Sequence, residues 1–326
     1  MFTCLLVYLF THLLTYPASA IMKILITGVS GLLGINLAQE AQIEHEVTGV
    51  DRGKLKSTPF NILKMELLES GAVDSALDSA RPDWLVNCAA LADLDACENN
   101  PELARALNID LPAQMAKSCK ARGIPFVHIS TDAVFDGEKD GFYTEEDSPN
   151  PLGVYSQTKL AGERAVLSEN PQAIVARVNF YGWSLGGRRS LAEFFFHNLT
   201  HNKSMSGFTD VVFCPMLVND TARILLKMLK KNISGLYHLV GPQAMSKFQF
   251  GVEIARKFSL KESDISPKSI LSSNLTARRS HNLWLSVHKL STGLGESLPE
   301  FSTGLSEFHT QYQQGYPQKI RGYQQF

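Results

Sequence analysis

Three glycines that directly follow a short apolar run constrain the fold of this chain more than any other feature. Residues 23–27 read KILIT, and Gly28, Gly31 and Gly34 come next at intervals of three residues. Glycines so placed allow a tight turn and let a ligand approach bare backbone. The apolar spacing of residues 32–39 predicts a helix, whose N-terminus offers free N–H groups to an anion. The pattern therefore predicts a strand, a pyrophosphate-binding turn and a helix.

Other residues of this turn, and the motifs that it lacks, narrow its chemistry. Ser30 and Leu32 flank the predicted helix start, so we expect them to contact the same pyrophosphate. A Walker lysine is missing, and so is a G-x-S-x-G elbow. Nucleotide hydrolysis and serine-hydrolase chemistry are therefore disfavoured.

Strands and helices are predicted to alternate through the first half of the chain. Further apolar, β-rich runs are predicted as strands at 46–50, 61–65, 84–90, 125–130 and 173–178. Such runs between amphipathic helices indicate an α/β fold, a doubly wound parallel (Rossmann) sheet covered on both faces. We expect residues 22–180 to form this dinucleotide-binding domain and 181–290 a smaller C-terminal substrate lobe. Residues 291–326 have little periodicity and are predicted to form an irregular tail.

Residues 1–21 are predicted to lie outside the fold. They are interpreted as an N-terminal extension or as the result of a start codon assigned too early. They end near Ala18-Ser19-Ala20, which is typical of a signal-peptidase site, but the basic leader region is missing. The first strand starts at Lys23, directly after Met22. Five cysteines without a C-x-x-C pair indicate free thiols in a reducing compartment, so we expect the protein in the cytoplasm.

Charge narrows the classes of partner. The formal net charge is −1, so no field of either sign favours nucleic acid or a membrane surface. His197 and His201 are one helical turn apart, but no further ligand motif accompanies them, and we expect no metal site. We expect a small-molecule substrate bound by local basic residues, and a homodimer is compatible with this composition.

Residues after the second and third predicted strands bear on the choice of dinucleotide. Asp51 lies roughly 20 residues beyond the glycines, where a carboxylate can accept both hydroxyls of the adenosine ribose. Arg52 can instead pair with a 2′-phosphate. Glu66 ends the third strand and either reaches the adenine amino group or stays a solvated surface carboxylate. We therefore expect NADP(H) or NAD(H) as the cofactor.

Tyr155 and Lys159 lie four residues apart in a predicted helix and so project from one face. A nearby ammonium lowers the pKa of a phenol, which makes the phenol a better proton donor to a ketone. Thr131 ends the fifth predicted strand, at the sheet edge where ligands bind in open α/β folds. We choose Thr131 for the hydrogen bond to a substrate carbonyl and keep Ser130 as the alternative.

These residues lie in a stretch that resembles one family. STDAVFDGEKDGFYTEEDSPNPLGVYSQTKLAGERAV is similar to the corresponding stretch of dTDP-4-dehydrorhamnose reductases, a branch of the extended short-chain dehydrogenase superfamily. The resemblance extends over residues 22–260, because two further stretches are also similar to the family, PDWLVNCAALADLDACENNPELARALN and GLYHLVG. It implies that Thr131, Tyr155 and Lys159 are catalytic and that the three glycines hold the pyrophosphate. It also implies that Ala89 and Ala90 contact the cofactor. The implied substrate contacts are Ser130, Asn179, Trp183 and Arg188.

Two functions follow from the resemblance. The first is NAD(P)H-dependent reduction of the keto group of a nucleotide-linked 4-keto-6-deoxy sugar, as in dTDP-rhamnose biosynthesis. The second is a non-catalytic, NADP-binding regulatory subunit that resembles the one of methionine adenosyltransferase. Sugar dehydratases of the superfamily use an acid pair after the threonine, but here Ala133 follows Asp132. Dehydration is therefore disfavoured, and Ala133 in place of the usual aromatic residue reshapes the predicted sugar site.

Overall fold

The computed structural model describes residues 20–272 and 280–324. Within these ranges the strands are β1 (Lys23–Thr27), β2 (Glu46–Asp51), β3 (Asn61–Lys64), β4 (Trp84–Asn87), β5 (Phe126–Thr131), β6 (Ile174–Val178), β7 (Phe180–Tyr181), β8 (Met205–Phe208), β9 (Val212–Phe213), β10 (Met216–Leu217), β11 (Gly235–Leu239), β12 (Met245–Ser246), β13 (Ile265–Lys268) and β14 (Asn282–Leu283). Seven of them form a sheet in the order β11-β6-β5-β4-β1-β2-β3, and every neighbouring pair is parallel. The predicted doubly wound α/β fold is confirmed.

Helices cover both faces of this sheet. The described α-helices are α1 (Leu32–Ala41), α2 (Ala72–Ala80), α3 (Leu94–Asn99), α4 (Pro101–Arg105), α5 (Leu111–Arg122), α6 (Val154–Glu169), α7 (Leu191–Thr200), α8 (Val218–Lys230), α9 (Lys247–Lys257), α10 (His288–Leu294), α11 (Phe301–Gln313) and α12 (Tyr316–Arg321). A π-helical turn, Ala106–Asp110, joins α4 to α5, and short 3-10 turns occur at Asp132–Val134, Glu262–Asp264 and Ile270–Ser272. No helix in the described ranges is long and apolar enough to cross a membrane.

Alternation along β1 explains the two-sided core. Ile24 and Ile26 point into the cluster that α1 and α8 cover, and Leu25 points into the cluster beneath α2, α5 and α6. A strand buried on both faces has no polar alternation, which is why KILIT is continuous in sequence. The strand order reverses between β1 and β4, so the carboxyl ends of the strands open a crevice there.

The predicted division at residue 180 is wrong in part. β11 pairs with β6 and completes the main sheet, with Leu236 opposite Val175, while α8 packs against α1. Two elements assigned to the substrate lobe thus belong to the Rossmann layer. The separate part contains the short strands β8, β9, β12, β13 and β14 with α7 and α9.

The predicted irregular tail is helical instead, because α10, α11 and α12 occupy most of it. Phe301, Leu305 and Phe308 recur at intervals of four and three residues, and all three are buried. This apolar stripe was present in the sequence among polar and aromatic residues that obscured it. The helix it forms packs onto the body of the protein, as the stacking of Phe308 on Trp183 shows.

Candidate active site

The turn after β1 forms the floor of the crevice. Gly28 has a φ of +63°, in the left-handed region that favours glycine, and a Cβ there would lie 2.6 Å from the backbone nitrogen of Ala89. A Cβ at Gly34 would meet the Gly28 carbonyl oxygen. Gly31 precedes α1 and supplies no side-chain cap for the N–H groups of its first turn. These features fit a dinucleotide pyrophosphate, with Ala89 and Ala90 beside it at the end of β4.

Asp51 at the end of β2 organises the neighbouring loop. Its Oδ2 accepts hydrogen bonds from the backbone N–H groups of Gly53 at 2.7 Å, Leu55 at 3.1 Å and Lys54. Burial acts to raise the pKa of Asp51, but the Ser30 hydroxyl and these N–H groups outweigh it and hold the pKa below its usual value. The carboxylate predicted for the ribose is therefore largely committed to shaping the loop.

Arg52 and Glu66 lie next to each other on the surface beside this loop. Arg52 Nη1 and Glu66 Oε2 are 3.7 Å apart, and the two side chains are 65% and 39% exposed. An ion pair this exposed contributes little, so the Arg52 guanidinium is available to a ligand phosphate. Glu66 also accepts from the N–H of Leu68, which makes the surface interpretation of Glu66 the better one.

Thr131 and Tyr155 come together at the carboxyl end of β5. The Thr131 hydroxyl donates to Asp132 Oδ1 at 3.1 Å, accepts from the N–H of Ala133 at 3.2 Å, and lies close enough to the Tyr155 phenol to lower its pKa. Burial raises the pKa of Tyr155 to about 12. Tyr155 is therefore a neutral phenol, the form that can donate a proton.

Lys159 projects from the same face of α6 as Tyr155 but is engaged elsewhere. Its Nζ donates to the carbonyl oxygen of Ile129 at 2.5 Å and lies 3.4 Å from Nε2 of His128. Burial lowers the pKa of Lys159 to about 8. The prediction that its ammonium lowers the pKa of Tyr155 is wrong for this structure, because burial dominates at both side chains.

Ser130 is not an alternative to Thr131. Neighbouring residues of a strand face opposite sides of a sheet, and the Ser130 hydroxyl donates to Glu163 Oε1 at 2.5 Å. Glu163 forms a buried, two-bond ion pair with Arg177, through Nε at 2.9 Å and Nη2 at 2.8 Å. The structure therefore corrects the prediction of a substrate contact for Ser130, because its hydroxyl is hydrogen-bonded to the carboxylate of this ion pair.

Asn179 approaches the site through Asp132. The Asn179 amide donates to Asp132 Oδ2, and Asp132 is 4% exposed. Burial raises the pKa of Asp132 to about 6, against the lowering effect of its bonds from Asn179 and Thr131. Asp132 thus fixes the Thr131 hydroxyl, a role that the sequence analysis missed because the dehydratase comparison considered this acid only as a catalyst.

Comparison with known proteins assigns the family. A family model described as RmlD substrate binding domain matches residues 22–314. This chain belongs to that family. The predicted resemblance to dTDP-4-dehydrorhamnose reductases of the extended short-chain dehydrogenase superfamily is thereby confirmed.

Relatives of this RmlD-family chain include reductases and a subunit of methionine adenosyltransferase 2. A probable low-salt glycan biosynthesis reductase of Haloferax volcanii is 32% identical over 282 residues, which cover 85% of this chain and 94% of the relative. The beta subunit of methionine adenosyltransferase 2 of Bos taurus is 34% identical over 285 residues, with 85% and 84% covered. Among solved structures, a dTDP-4-dehydrorhamnose reductase from Clostridium acetobutylicum has a TM-score of 0.78 at 27% identity, with 90% and 100% covered.

Two predicted substrate contacts of this RmlD-family chain lie away from the crevice. Trp183 is 1% exposed, stacks on Phe308, and donates from its indole nitrogen to the Phe308 carbonyl oxygen at 3.1 Å. It is a core residue, so its prediction as a substrate contact is wrong. Arg188 is exposed and lines a cavity of about 300 Å³ with His197 and Arg321, a set that includes none of the catalytic candidates.

Polar residues beneath the crevice were missed by the sequence analysis. Three such residues are fully buried and hydrogen-bonded: His128 on β5, Asn87 on the neighbouring strand β4, and Asn108 in the π-helical turn before α5. In the sequence, a single polar residue within an apolar run was the pattern that could have indicated these buried polar side chains. Among the described residues no group of three or more His, Cys, Asp or Glu side chains is arranged to hold a metal, and the rings of His197 and His201 lie 4.3 Å apart on α7 and just after it.

Proposed function

We propose that this protein reduces the keto group of a nucleotide-linked 4-keto-6-deoxy sugar with NADPH or NADH. The observation that carries the proposal is the meeting of Thr131 and Tyr155, with Lys159 on the same face of α6 as Tyr155, at the edge of the sheet that also holds the glycine turn. The dTDP-4-dehydrorhamnose reductase likeness at 27% identity and the reductase relative at 32% support this substrate class. A structure of the Bacillus anthracis reductase in complex with NADP shares the fold, with a TM-score of 0.81.

The residues of the crevice divide the work of a ketone reduction. The dinucleotide, when bound on the glycine turn, supplies hydride to the carbonyl carbon. The Thr131 hydroxyl has a single hydrogen, which it donates to Asp132 Oδ1 in the ligand-free chain, and it would turn that hydrogen to the carbonyl oxygen when a substrate binds. Tyr155 transfers its phenolic proton to that oxygen as negative charge develops, and Lys159 would turn from the Ile129 carbonyl oxygen to stabilise the resulting phenolate.

Free thiols support a cytoplasmic site for this reaction. Cys97, Cys119 and Cys214 are buried and unbridged, and burial raises the pKa of each thiol above its usual value. Such inert thiols are typical of a protein that folds in a reducing compartment.

A regulatory role is the second candidate, and one observation favours it. The methionine adenosyltransferase beta subunit is 34% identical over most of both chains, and a subunit of that kind can retain the family's crevice. Tyr155 and Lys159 are compatible with both roles, so the distinction must come from turnover.

Steady-state consumption of NADPH tests the proposal. We expect turnover with a dTDP-linked 4-keto-6-deoxy sugar and none with the same sugar lacking its nucleotide, because remote binding energy orients the reacting carbonyl. A titration against the catalytic subunit of a methionine adenosyltransferase tests the second candidate in parallel. Tight binding there, with no turnover of any keto-sugar nucleotide, would assign the regulatory role instead.

Arg52 and Asp51 should affect the choice of dinucleotide in different ways. Arg52→Ala should lower kcat/KM for NADPH about tenfold, or ~1.4 kcal/mol, and leave the value for NADH unchanged, since only NADPH carries a 2′-phosphate. Asp51→Ala should weaken both cofactors, because the loop at residues 53–55 loses its acceptor. Arg256→Ala, an exposed arginine on α9, is the matched control. Unchanged NADPH kinetics in Arg52→Ala would remove Arg52 from the site.

A further inference from the structure

A chain of buried polar side chains runs beneath the crevice from β1 to α6. Thr27 Oγ1 donates to Asn87 Oδ1 at 2.6 Å, Asn87 Nδ2 lies 3.2 Å from His128 Nδ1, and His128 Nε2 lies 3.4 Å from Lys159 Nζ. All four side chains are at most 2% exposed. Because solvent cannot supply partners here, each hydrogen must point at a group within the chain.

The direction of these hydrogen bonds is fixed by the backbone at one end. The N–H of Ala89 donates to Asn87 Oδ1 at 3.1 Å, so that atom must be the oxygen of the amide. The Asn87 NH₂ group then faces His128 Nδ1, which must accept. Burial holds the pKa of His128 well below its usual value, so the ring is neutral and carries its one proton on Nε2.

The proton on Nε2 of His128 points at Lys159. An ammonium has three donors and no acceptor, so His128 Nε2–H and a charged Lys159 would set two donors against each other. An amine has a lone pair and accepts from that N–H, while it still donates to the carbonyl oxygen of Ile129. The geometry therefore suits the amine form of Lys159.

Three other titratable groups act on Lys159. Glu163, Cys88 and Cys97 act to raise the pKa of Lys159, but burial outweighs them and lowers it to about 8. The Glu163 carboxylate is already paired with Arg177. Burial thus acts in the same direction as the hydrogen-bond geometry, toward the amine, but with a pKa of about 8 the amine predominates only above that pH.

We propose that His128, with its tautomer fixed by Asn87, is a positioning residue that directs an N–H at Lys159 and thereby favours the amine form of the lysine. The role in the reaction rests on the proposed function, since Lys159 projects from the same face of α6 as Tyr155. The tautomer itself does not rest on it, because it is a property of the ligand-free chain.

Nitrogen-15 NMR of the histidine rings in the full-length protein tests the tautomer directly. The His128 ring, assigned by its loss in His128→Gln, should show a protonated Nε2 and an unprotonated Nδ1. Asn87→Asp should reverse this, because a carboxylate oxygen can only accept and must draw the proton to Nδ1. His45→Gln, which replaces a buried histidine against Trp84, is the matched control and should leave the His128 signals unchanged. A protonated Nδ1 in the wild-type protein would overturn the proposal without any variant.

Titration of Lys159 tests the consequence. Carbon-13 NMR of the lysine side chains should give a titration midpoint of about 8 for Lys159, whose signal is identified by its absence from Lys159→Arg. Asn87→Asp should raise that midpoint by at least one pH unit, or about 1.4 kcal/mol, since a reversed His128 then accepts from the ammonium. In Asn87→Asp with His128→Leu the rise should be clearly smaller. An equal rise with and without His128 would mean that the added charge acts directly and would refute the positioning role. Both readouts are independent of turnover, so they stand apart from a failure of the proposed reduction.

Discussion

Tyr155→Phe should lower kcat for the reduction by about 10²–10⁴-fold, the usual effect of removing one positioned acid. The phenol lies near Thr131 at the carboxyl end of β5, and its raised pKa keeps the proton available until the carbonyl oxygen gains charge. Phenylalanine retains the ring and its packing, so the dissociation constant of the reduced cofactor and the unfolding temperature should stay close to wild type. Stopped-flow absorbance of NADPH and fluorescence titration measure the two quantities separately.

A second tyrosine variant separates chemistry from packing in this test. Tyr312→Phe removes the hydroxyl of an exposed tyrosine on α11 that stacks against Trp183. Its kcat should match wild type. If Tyr155→Phe turned over at the wild-type rate, another group would donate the proton and the assignment of Tyr155 would be wrong.

Arg177→Met should destabilise the protein by about 3–5 kcal/mol, because it leaves the Glu163 carboxylate buried without its partner. The side chains of Arg177 and Glu163 are only 3% and 4% exposed, and Ser130 depends on the same carboxylate. The double variant Arg177→Met with Glu163→Leu should recover most of the loss, since it removes both charges together. The free energy of unfolding from urea titrations measures both effects.

A surface pair provides the control for this stability experiment. Arg256 lies on α9 and pairs with Glu253 and Glu262, and its side chain is 56% exposed. Arg256→Met should cost at most about 1 kcal/mol, because exposed ion pairs are screened by solvent. Equal losses at Arg177 and Arg256 would show that the buried network is not a special source of stability.

Local patterns carried most of what the sequence could predict. The glycine turn is encoded within seven residues, and the spacing of Tyr155 and Lys159 fixes their shared helix face, so neither depends on distant contacts. The order of apolar strands and helices was sufficient for the parallel sheet. Because neighbouring strand residues face opposite sides of the sheet, only one of the hydroxyls of Ser130 and Thr131 can face the crevice. The structure shows that this is Thr131, since Ser130 donates to Glu163.

The errors arose where the outcome depends on residues far apart in the chain. Trp183 became a core residue because α11 returns across more than 100 positions to stack Phe308 on it. The commitment of Asp51 to its loop depends on backbone N–H groups that no side-chain pattern reveals. Asn87 and His128 lie on neighbouring strands but are separated by 41 residues, so their hydrogen bond was invisible before the sheet was assembled.

The most direct test of the central claim is hydride transfer itself. Reduced cofactor that carries deuterium at the transferable position of the nicotinamide ring should be incubated with the enzyme and a dTDP-linked 4-keto-6-deoxy sugar. We expect one equivalent of oxidised cofactor and one deuterium in the product, bonded to carbon 4 of the sugar and located by mass spectrometry and NMR. Binding of cofactor and nucleotide sugar without cofactor oxidation or deuterium transfer would contradict it.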